Sequence, residues 1–209
     1  MNSIITIGRQ YGSGGHEIGQ KLDEKFNVRY FDKELLKRAA KDSGMCPEIF
    51  ENHDERPTSS FLYNLVMDTY SFGLNNSNYF DMPISHKVFL AQFEAIKNIA
   101  NEGPCVIVGR CADYALSEYN NCLNIFIYAD LSKRIERVSR INGVSADDAK
   151  DLIIKKDKQR ANYYNYYSTK KWGHADTYDL CVDSSVLGTE GTVELISQFV
   201  NDFEKAKKL

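Results

Sequence analysis

The residues best placed to do chemistry lie near the start of the chain. Arg9-Gln10-Tyr11-Gly12-Ser13-Gly14-Gly15-His16 follows the apolar, β-branched run Ile4-Ile5-Thr6-Ile7, and a helical pattern follows it. A strand, a glycine turn and a helix N-terminus together make an anion site, because backbone N–H groups and the helix dipole converge on one point. Glycines at 12, 14 and 15 let a phosphate approach without Cβ collisions. The loop therefore points to a nucleotide. The usual phosphoryl-transfer form, G-x-x-x-x-G-K-[ST], places Lys and then a Mg²⁺-binding hydroxyl after its last glycine. Gly15 and His16 stand in those two places. A dinucleotide loop, G-x-G-x-x-G, is matched by Gly12 and Gly14 with Asp32 as its distal acid, but Glu17 occupies its third glycine position.

Three further constellations carry charge suited to phosphates. Asp32 closes a short strand, and Arg38 follows six residues later. Gly109-Arg110-Cys111-Ala112-Asp113 follows another apolar strand, and an Arg there can grip a phosphate bidentately while Asp113 holds that Arg or a sugar or base. Lys133, Arg134, Arg137, Arg140, Lys155, Lys156, Lys158 and Arg160 lie on two predicted helices. Phosphoryl transfer needs positioned cations more than covalent chemistry, and Arg137 and Arg160 are the two singled out here. Behind Arg160, Tyr163, Tyr164, Tyr166, Tyr167 and Trp172 read as packing under a lid or at a partner surface, with base stacking the lesser alternative.

These groups need a scaffold, and the apolar periodicity supplies one. Strands are expected over 3–8, 28–31, 105–109, 123–128 and 178–183. Helices are expected over 15–26, from Asp32 as N-cap to about 41, over 85–101, 131–142, 146–167 with Ser145 and Asp148 as a capping box, and 191–207. Continuous apolar strands alternating with helices imply a parallel sheet covered on both faces. The stretch 47–83 mixes polar and aromatic residues and reads as a mobile, partly helical insertion, with a loop at Asn75-Asn76-Ser77-Asn78.

At 209 residues the chain suits one domain with a substantial core, and its charge of -3 argues against a general nucleic-acid binder. No run approaches the ~18 apolar residues of a membrane span, and no signal-peptide pattern opens the chain, so a cytoplasmic protein without membrane partners is expected. The five cysteines form no C-x-x-C pair and read as buried reduced thiols; the four histidines are too scattered for zinc, and no protein metal-ligand set is expected.

The segments also resemble a family. Asp32-Lys33-Glu34-Leu35-Leu36-Lys37-Arg38-Ala39 resembles the D-x-G-x-x-Y-R-A segment of cytidylate kinases, where the acid and the arginine belong to the nucleoside monophosphate site. Gly109-Arg110 with Asp113 is similar to their G-R-D segment with two residues inserted. Lys156-Asp157-Lys158-Gln159-Arg160 resembles their lid, with Lys where they have Arg, and Asp183-Ser184-Ser185 resembles their last-strand D-T-S. Arg9 to Gly15 and Gly109 to Asp113 are similar to the R-Q-Y-G-S-G-G and G-R-x-A-D strings of the cytidylate kinase-like branch.

The resemblance implies an α/β three-layer P-loop NTPase fold in a single domain 1–209. Its core would be 1–46 and 84–209, with an acceptor-binding insertion at about 47–83 and a helical lid at about 143–173. It implies ATP with Mg²⁺ as cofactors, with ATP bound on Gly12, Ser13, Gly14, Gly15 and His16, and CMP or dCMP as acceptor near Asp32, Arg38, Arg110 and Asp113. Arg9, Arg137 and Arg160 would be the catalytic cations. Either another cation, with Arg9 the candidate, replaces the absent Lys, or transfer is weak or absent. The rivals are a nucleotide- or anion-binding regulatory module and a P-loop kinase of another small metabolite. Oligomeric state is left open.

Overall fold

The computed structural model describes residues 1–55 and 82–208. Among them, β1 (Ile4–Arg9), β2 (Arg29–Phe31), β3 (Cys105–Val108), β4 (Cys122–Tyr128) and β5 (Leu180–Asp183) form one parallel sheet in the order β2-β3-β1-β4-β5. β1 is central: Ile5 lies opposite Val106 on one side and Leu123 on the other. The strands read as unbroken apolar runs because both faces are covered.

Side-chain alternation divides the core. Ile4, Cys105 and Ile107 face α2 (Lys33–Ser43), α3 (Pro47–His53), α4 (Ile84–Asn101) and α5 (Ala112–Ala115). Ile5, Ile7, Val106, Val108 and Ile125 face α1 (Gly15–Phe26) and α8 (Ser184–Lys207). In α1 the helical spacing of Ile18 and Leu22 meets this second face, and both are fully buried.

Outside these layers lie α6 (Leu131–Asn142) and α7 (Ala146–Tyr167), joined through Val138, Ala149 and Ile153. Ser145 Oγ caps α7 by accepting from the Asp148 N–H at 3.1 Å, and donates to the Asp148 carboxylate at 2.6 Å. The far end of α7 sinks Tyr163, Tyr164 and Tyr167 against Phe89 of α4, with Tyr167 stacked on Phe89 at 3.9 Å between ring centroids. Trp172 meets Phe126 edge-on. These aromatics pack together, and Tyr163, Tyr164 and Trp172 also line a small cavity that reaches Arg9, Arg110 and Arg160.

Three local readings change. A helical turn starts at Ser184, where the Asp183 carboxylate accepts from the Ser185 N–H at 2.9 Å; Gly188, non-helical at φ 67° and ψ -178°, separates it from the long closing helix expected from 191. Asp32 stands at the N-cap of α2 but makes no side-chain cap bond, since its carboxylate is used elsewhere. Cys105, Cys111 and Cys122 are buried, but Cys46 is exposed. The expected loop at 75–78 lies outside the described residues. No helix among those described is long and apolar enough to cross a membrane.

Ile125 is fully buried at the sheet centre and Ile154 is 53% exposed on α7. Urea unfolding should show Ile125→Ala costing about 2–5 kcal/mol, from lost transfer energy and a cavity. Ile154→Ala should stay within about 0.5 kcal/mol.

Candidate active site

A parallel sheet delivers the C-terminal ends of its strands to one edge, where open α/β folds bind ligands. Here β1 delivers Arg9 and the glycine loop, β2 delivers Asp32, β3 delivers Gly109 and Arg110, and β5 delivers Ser184. α7 crosses above them and brings Arg160.

The glycine loop is folded as an anion cradle. Gly14, at φ 85°, is the N-cap of α1, a left-handed conformation that suits glycine. Ser13 is fully buried; its N–H and Oγ both reach the Gln10 carbonyl, at 3.3 and 2.9 Å. Its own carbonyl accepts from Ser184 Oγ at 2.6 Å, which ties the loop to the start of α8. Arg137 lies over the loop, donating to the Gly12 carbonyl at 3.3 Å. A groove of about 220 Å³ opens here, lined among others by Gly12, Gly15, His16, Asp32, Arg137 and Arg160. A second groove of about 220 Å³ lies on the other side of Gly12 and Arg137, toward Lys133, Arg140, Ser185 and Gly188.

Two positions of this loop matter for a cation and a metal. A Cβ on Gly15 would lie 2.7 Å from Cβ of Arg9 and 3.0 Å from its Cγ. No side chain fits at 15 while Arg9 lies as it does. His16 presents no hydroxyl, and its Nδ1 lies 2.9 Å from the Asp32 carboxylate and 2.8 Å from the Tyr30 hydroxyl. Among the described residues, no group of three or more His, Cys, Asp or Glu is placed to hold a metal. Position 16 therefore offers no hydroxyl to a Mg²⁺ ion.

Beside the loop, three guanidiniums converge. Arg110 is 4% exposed and spends every arm: Nη1 donates to Asp32 Oδ1 at 2.9 Å and to the Val108 carbonyl at 3.1 Å, while Nε and Nη2 grip both oxygens of Asp54 at 3.0 and 2.9 Å. Arg9 Nη1 donates to Glu55 Oε1 at 2.8 Å, and Arg160 Nε donates to Glu55 Oε2 at 3.1 Å. Arg160 also reaches the Arg9 carbonyl at 3.2 Å. Gly109 lets Arg9 pass, since a Cβ there would collide with its guanidinium.

The electrostatics follow from burial and pairing. Burial alone would raise Glu55, but Arg9, Arg160 and Arg110 outweigh it and hold the carboxyl well below its usual range. Asp32 is held down the same way, its burial overcome by Arg110 and Arg9. Burial and the neighbouring Arg9 charge push Arg160 below the ordinary arginine value, even with Glu55 opposing.

The remaining expected residues fall into two groups. Arg9, Arg110, Arg160 and Asp32 meet in the cluster, with His16 against Asp32 and Arg137 over the loop. Arg38 does not join them, whereas Asp113 lines a small cavity together with Arg9, Arg110 and Arg160. Arg38 pairs with Asp42 at 2.9 Å, one turn on, and with Glu102 at 2.6 Å. Glu102 also pairs with Arg29, the first residue of β2, so Arg38 lies toward the opposite edge of the sheet. Asp113 is buried and accepts from the Tyr164 hydroxyl rather than from Arg110; burial raises its pKa. Sequence reasoning missed Asp54 and Glu55, which sit where apolar periodicity is absent. Arg134, one of the basic stretch but not among those singled out, meets Asp157 through Nη1 at 2.6 Å while Asp157 accepts from the Tyr11 N–H at 2.7 Å.

Comparison with known proteins gives the chain's relatives. Residues 4–186 match the sequence pattern of the cytidylate kinase-like family. The cytidylate kinase of Methanocaldococcus jannaschii is 25% identical over 205 residues, 97% of this chain and 99% of that protein. That of Pyrococcus horikoshii is 25% identical over 203 residues, 96% of this chain and 90% of that protein. A crystal structure of an uncharacterized protein from Eubacterium ventriosum superposes with a TM-score of 0.72 at 29% identity, covering 96% of this chain and 99% of that one. Shikimate kinase from Bacteroides thetaiotaomicron, at a TM-score of 0.55 and 14% identity over 96% and 99%, shares the fold. The α/β P-loop kinase architecture expected from the sequence is the one found.

Two outcomes should follow. Gly15→Lys should destabilise the protein by about 1–3 kcal/mol through overpacking; Arg9→Ala keeps the Cβ that lies 2.7 Å away and should relieve little of that cost, whereas an Arg9→Gly background should relieve most of it, as double-mutant cycles would measure. Glu55 is depressed from an ordinary 4.5, so its contribution to stability is present above that value and is lost as pH falls below it. The Tm gap between wild type and Glu55→Gln should therefore be largest near neutral pH and narrow between about pH 5 and about pH 3.

Proposed function

The chain belongs to the cytidylate kinase-like family, and from that premise we propose that it is a nucleoside monophosphate kinase passing the γ-phosphoryl of ATP to CMP or dCMP. The observation that carries this reading is the juxtaposition of a glycine loop with three converging arginines, with Arg9 belonging to both. The loop and Arg137 would hold the donor phosphates in the groove they line. The second groove, beyond Gly12 toward Ser185 and Gly188, offers room for the rest of the donor nucleotide. Arg110 and Arg160 would hold the acceptor phosphate, with Arg110 fixed by Asp32.

Transfer then needs an acceptor phosphate oxygen in line with the γ-phosphorus, ADP as leaving group, and cations around the transferring oxygens. Arg9 takes the part of the missing Lys, a guanidinium from the strand end in place of an ammonium from the helix. Its planar fork holds parallel donors in a fixed geometry, where an ammonium is a compact point charge with rotatable donors. Magnesium would travel on the nucleotide's own phosphates and waters.

A coupled ADP-release assay with ATP, Mg²⁺ and a panel of nucleoside monophosphates tests this. Turnover on CMP or dCMP is expected. Arg110→Ala should raise the acceptor KM at least about tenfold, and Arg9→Ala should lower kcat by on the order of 10³, by analogy with arginine fingers. Arg38→Ala should leave acceptor affinity within about twofold, because its partners lie away from the site. Nucleotide binding without turnover on any monophosphate would replace this reading with a binding module or with a kinase for another metabolite.

A further inference from the structure

The three arginines are not waiting empty. Two carboxylates, four oxygens in all, already lie on them: Asp54 bidentate on Arg110, and Glu55 bridging Arg9 and Arg160. A phosphate monoester would use the same donors, since guanidiniums grip carboxylate and phosphate with one fork geometry. We propose that Asp54-Glu55 is a tethered competitor that occupies the acceptor-phosphate cradle of the free protein, and that Glu55 and Asp54 thereby decide which acceptors enter. This rests on the reading of Arg110 and Arg160 as the acceptor-phosphate site, with Arg9 between it and the glycine loop.

Charge supports the exchange. Three guanidiniums face three carboxylates, Asp32, Asp54 and Glu55, so the occupied cradle is neutral. Adding a phosphate dianion beside all three would bury unbalanced negative charge. With Asp54 and Glu55 withdrawn, Asp32 alone remains against the arginines, and the net charge of plus two matches a phosphate dianion. A monocarboxylate acceptor would leave that balance open and would meet a tethered carboxylate of its own kind at high effective concentration. The cradle so occupied favours phosphate over carboxylate.

The backbone is arranged to let go. α3 is anchored by Phe50, fully buried in the core, but the chain leaves the helix at Asp54, which is extended. Glu55 follows at φ 51°, a left-handed conformation unfavourable for a non-glycine residue and held here by its ion pairs. Asp54 is attached more lightly than Arg110: its side chain is 27% exposed against 2% for the arginine, and its carbonyl accepts only a 3.3 Å bond from Gln159. Displacing the pair therefore leaves Phe50, and with it the fold, in place.

The test is calorimetric titration of the full-length protein with inorganic phosphate, CMP and acetate, for wild type, Glu55→Gln and Asp54→Asn. If the pair occupies the cradle about nine-tenths of the time, removing the competition tightens phosphate and CMP about tenfold, since apparent affinity scales with the competent fraction. Glu55→Gln should also gain measurable acetate binding that wild type lacks. Because Glu55→Gln leaves guanidiniums unpaired, its Tm should fall and recover on adding phosphate by more than wild type gains. A readout without substitution accompanies these: hydrogen exchange over residues 47–55 of wild type should speed up when CMP binds. Unchanged or weaker phosphate affinity in both variants, or exchange that slows at 47–55 on CMP binding, would overturn the proposal while leaving the cradle as a phosphate site. Failure of wild type and both variants to bind phosphate or CMP at millimolar concentration would overturn the cradle assignment as well.

Discussion

The gathering of guanidinium and carboxylate groups at the C-terminal edge of the sheet is the constraint on which the rest of the site depends. A buried ion pair is expensive to desolvate, and its attraction offsets that cost only when the remaining donors and acceptors are satisfied. Arg110 meets this condition with two carboxylates and a carbonyl while almost fully buried. Satisfying it fixes much else. Asp32 must end β2 with its side chain turned inward, so it gives up capping α2. Arg110 and Cys111 both adopt left-handed backbone at φ 55°, a strain that a fully bonded side chain can hold in place. Gly109 and Gly15 must lack side chains because Arg9 threads between them.

That cluster also explains which features were legible in the sequence. The strands and the major helices could be read because their signals are local. β-Branched apolar runs mark β1, β3 and β4, and Ser145 marks the start of α7. Arg38 illustrates the opposite. Its distance from Asp32 along the chain put it within reach of the cleft, but the phase of α2 was already set by Leu35, Leu36, Ala39 and Ala40 turning inward. Asp42, four residues on, was the local sign that Arg38 had a partner on its own helix. Glu55 had no such sign. It pairs with residues 46 positions earlier and 105 later, and pairing over that separation leaves no periodic trace. The Tyr-rich end of α7 was legible as packing because aromatics that dense on one helix cover a large apolar area, and Phe89 is what they cover.

Departures from a familiar loop pattern are easily taken one at a time, as a lost lysine and then a lost hydroxyl. The geometry couples the first of them to a gain. In the usual arrangement the cation comes from the first turn of the helix and rises over the phosphates. Here Arg9, the last residue of β1, passes across that turn closely enough to exclude any side chain at position 15. Glycine there follows from how closely the strand end approaches the helix: the Cβ at position 9 alone lies 2.7 Å from where a Cβ at 15 would stand. The arginine has a different physical character from a helix-borne lysine. Lys is a flexible point charge facing phosphate alone, whereas Arg9 is held between Glu55 and the backbone at Gly109, and Arg160 is stacked over the Tyr11 ring and bonded to the Arg9 carbonyl. The cation of the glycine loop and the cations of the neighbouring cradle are therefore one connected group. On the proposed reading, exchanging the anion on Glu55's side of Arg9 would change how that guanidinium is held, so occupancy of the cradle and alignment of the loop's cation would change together.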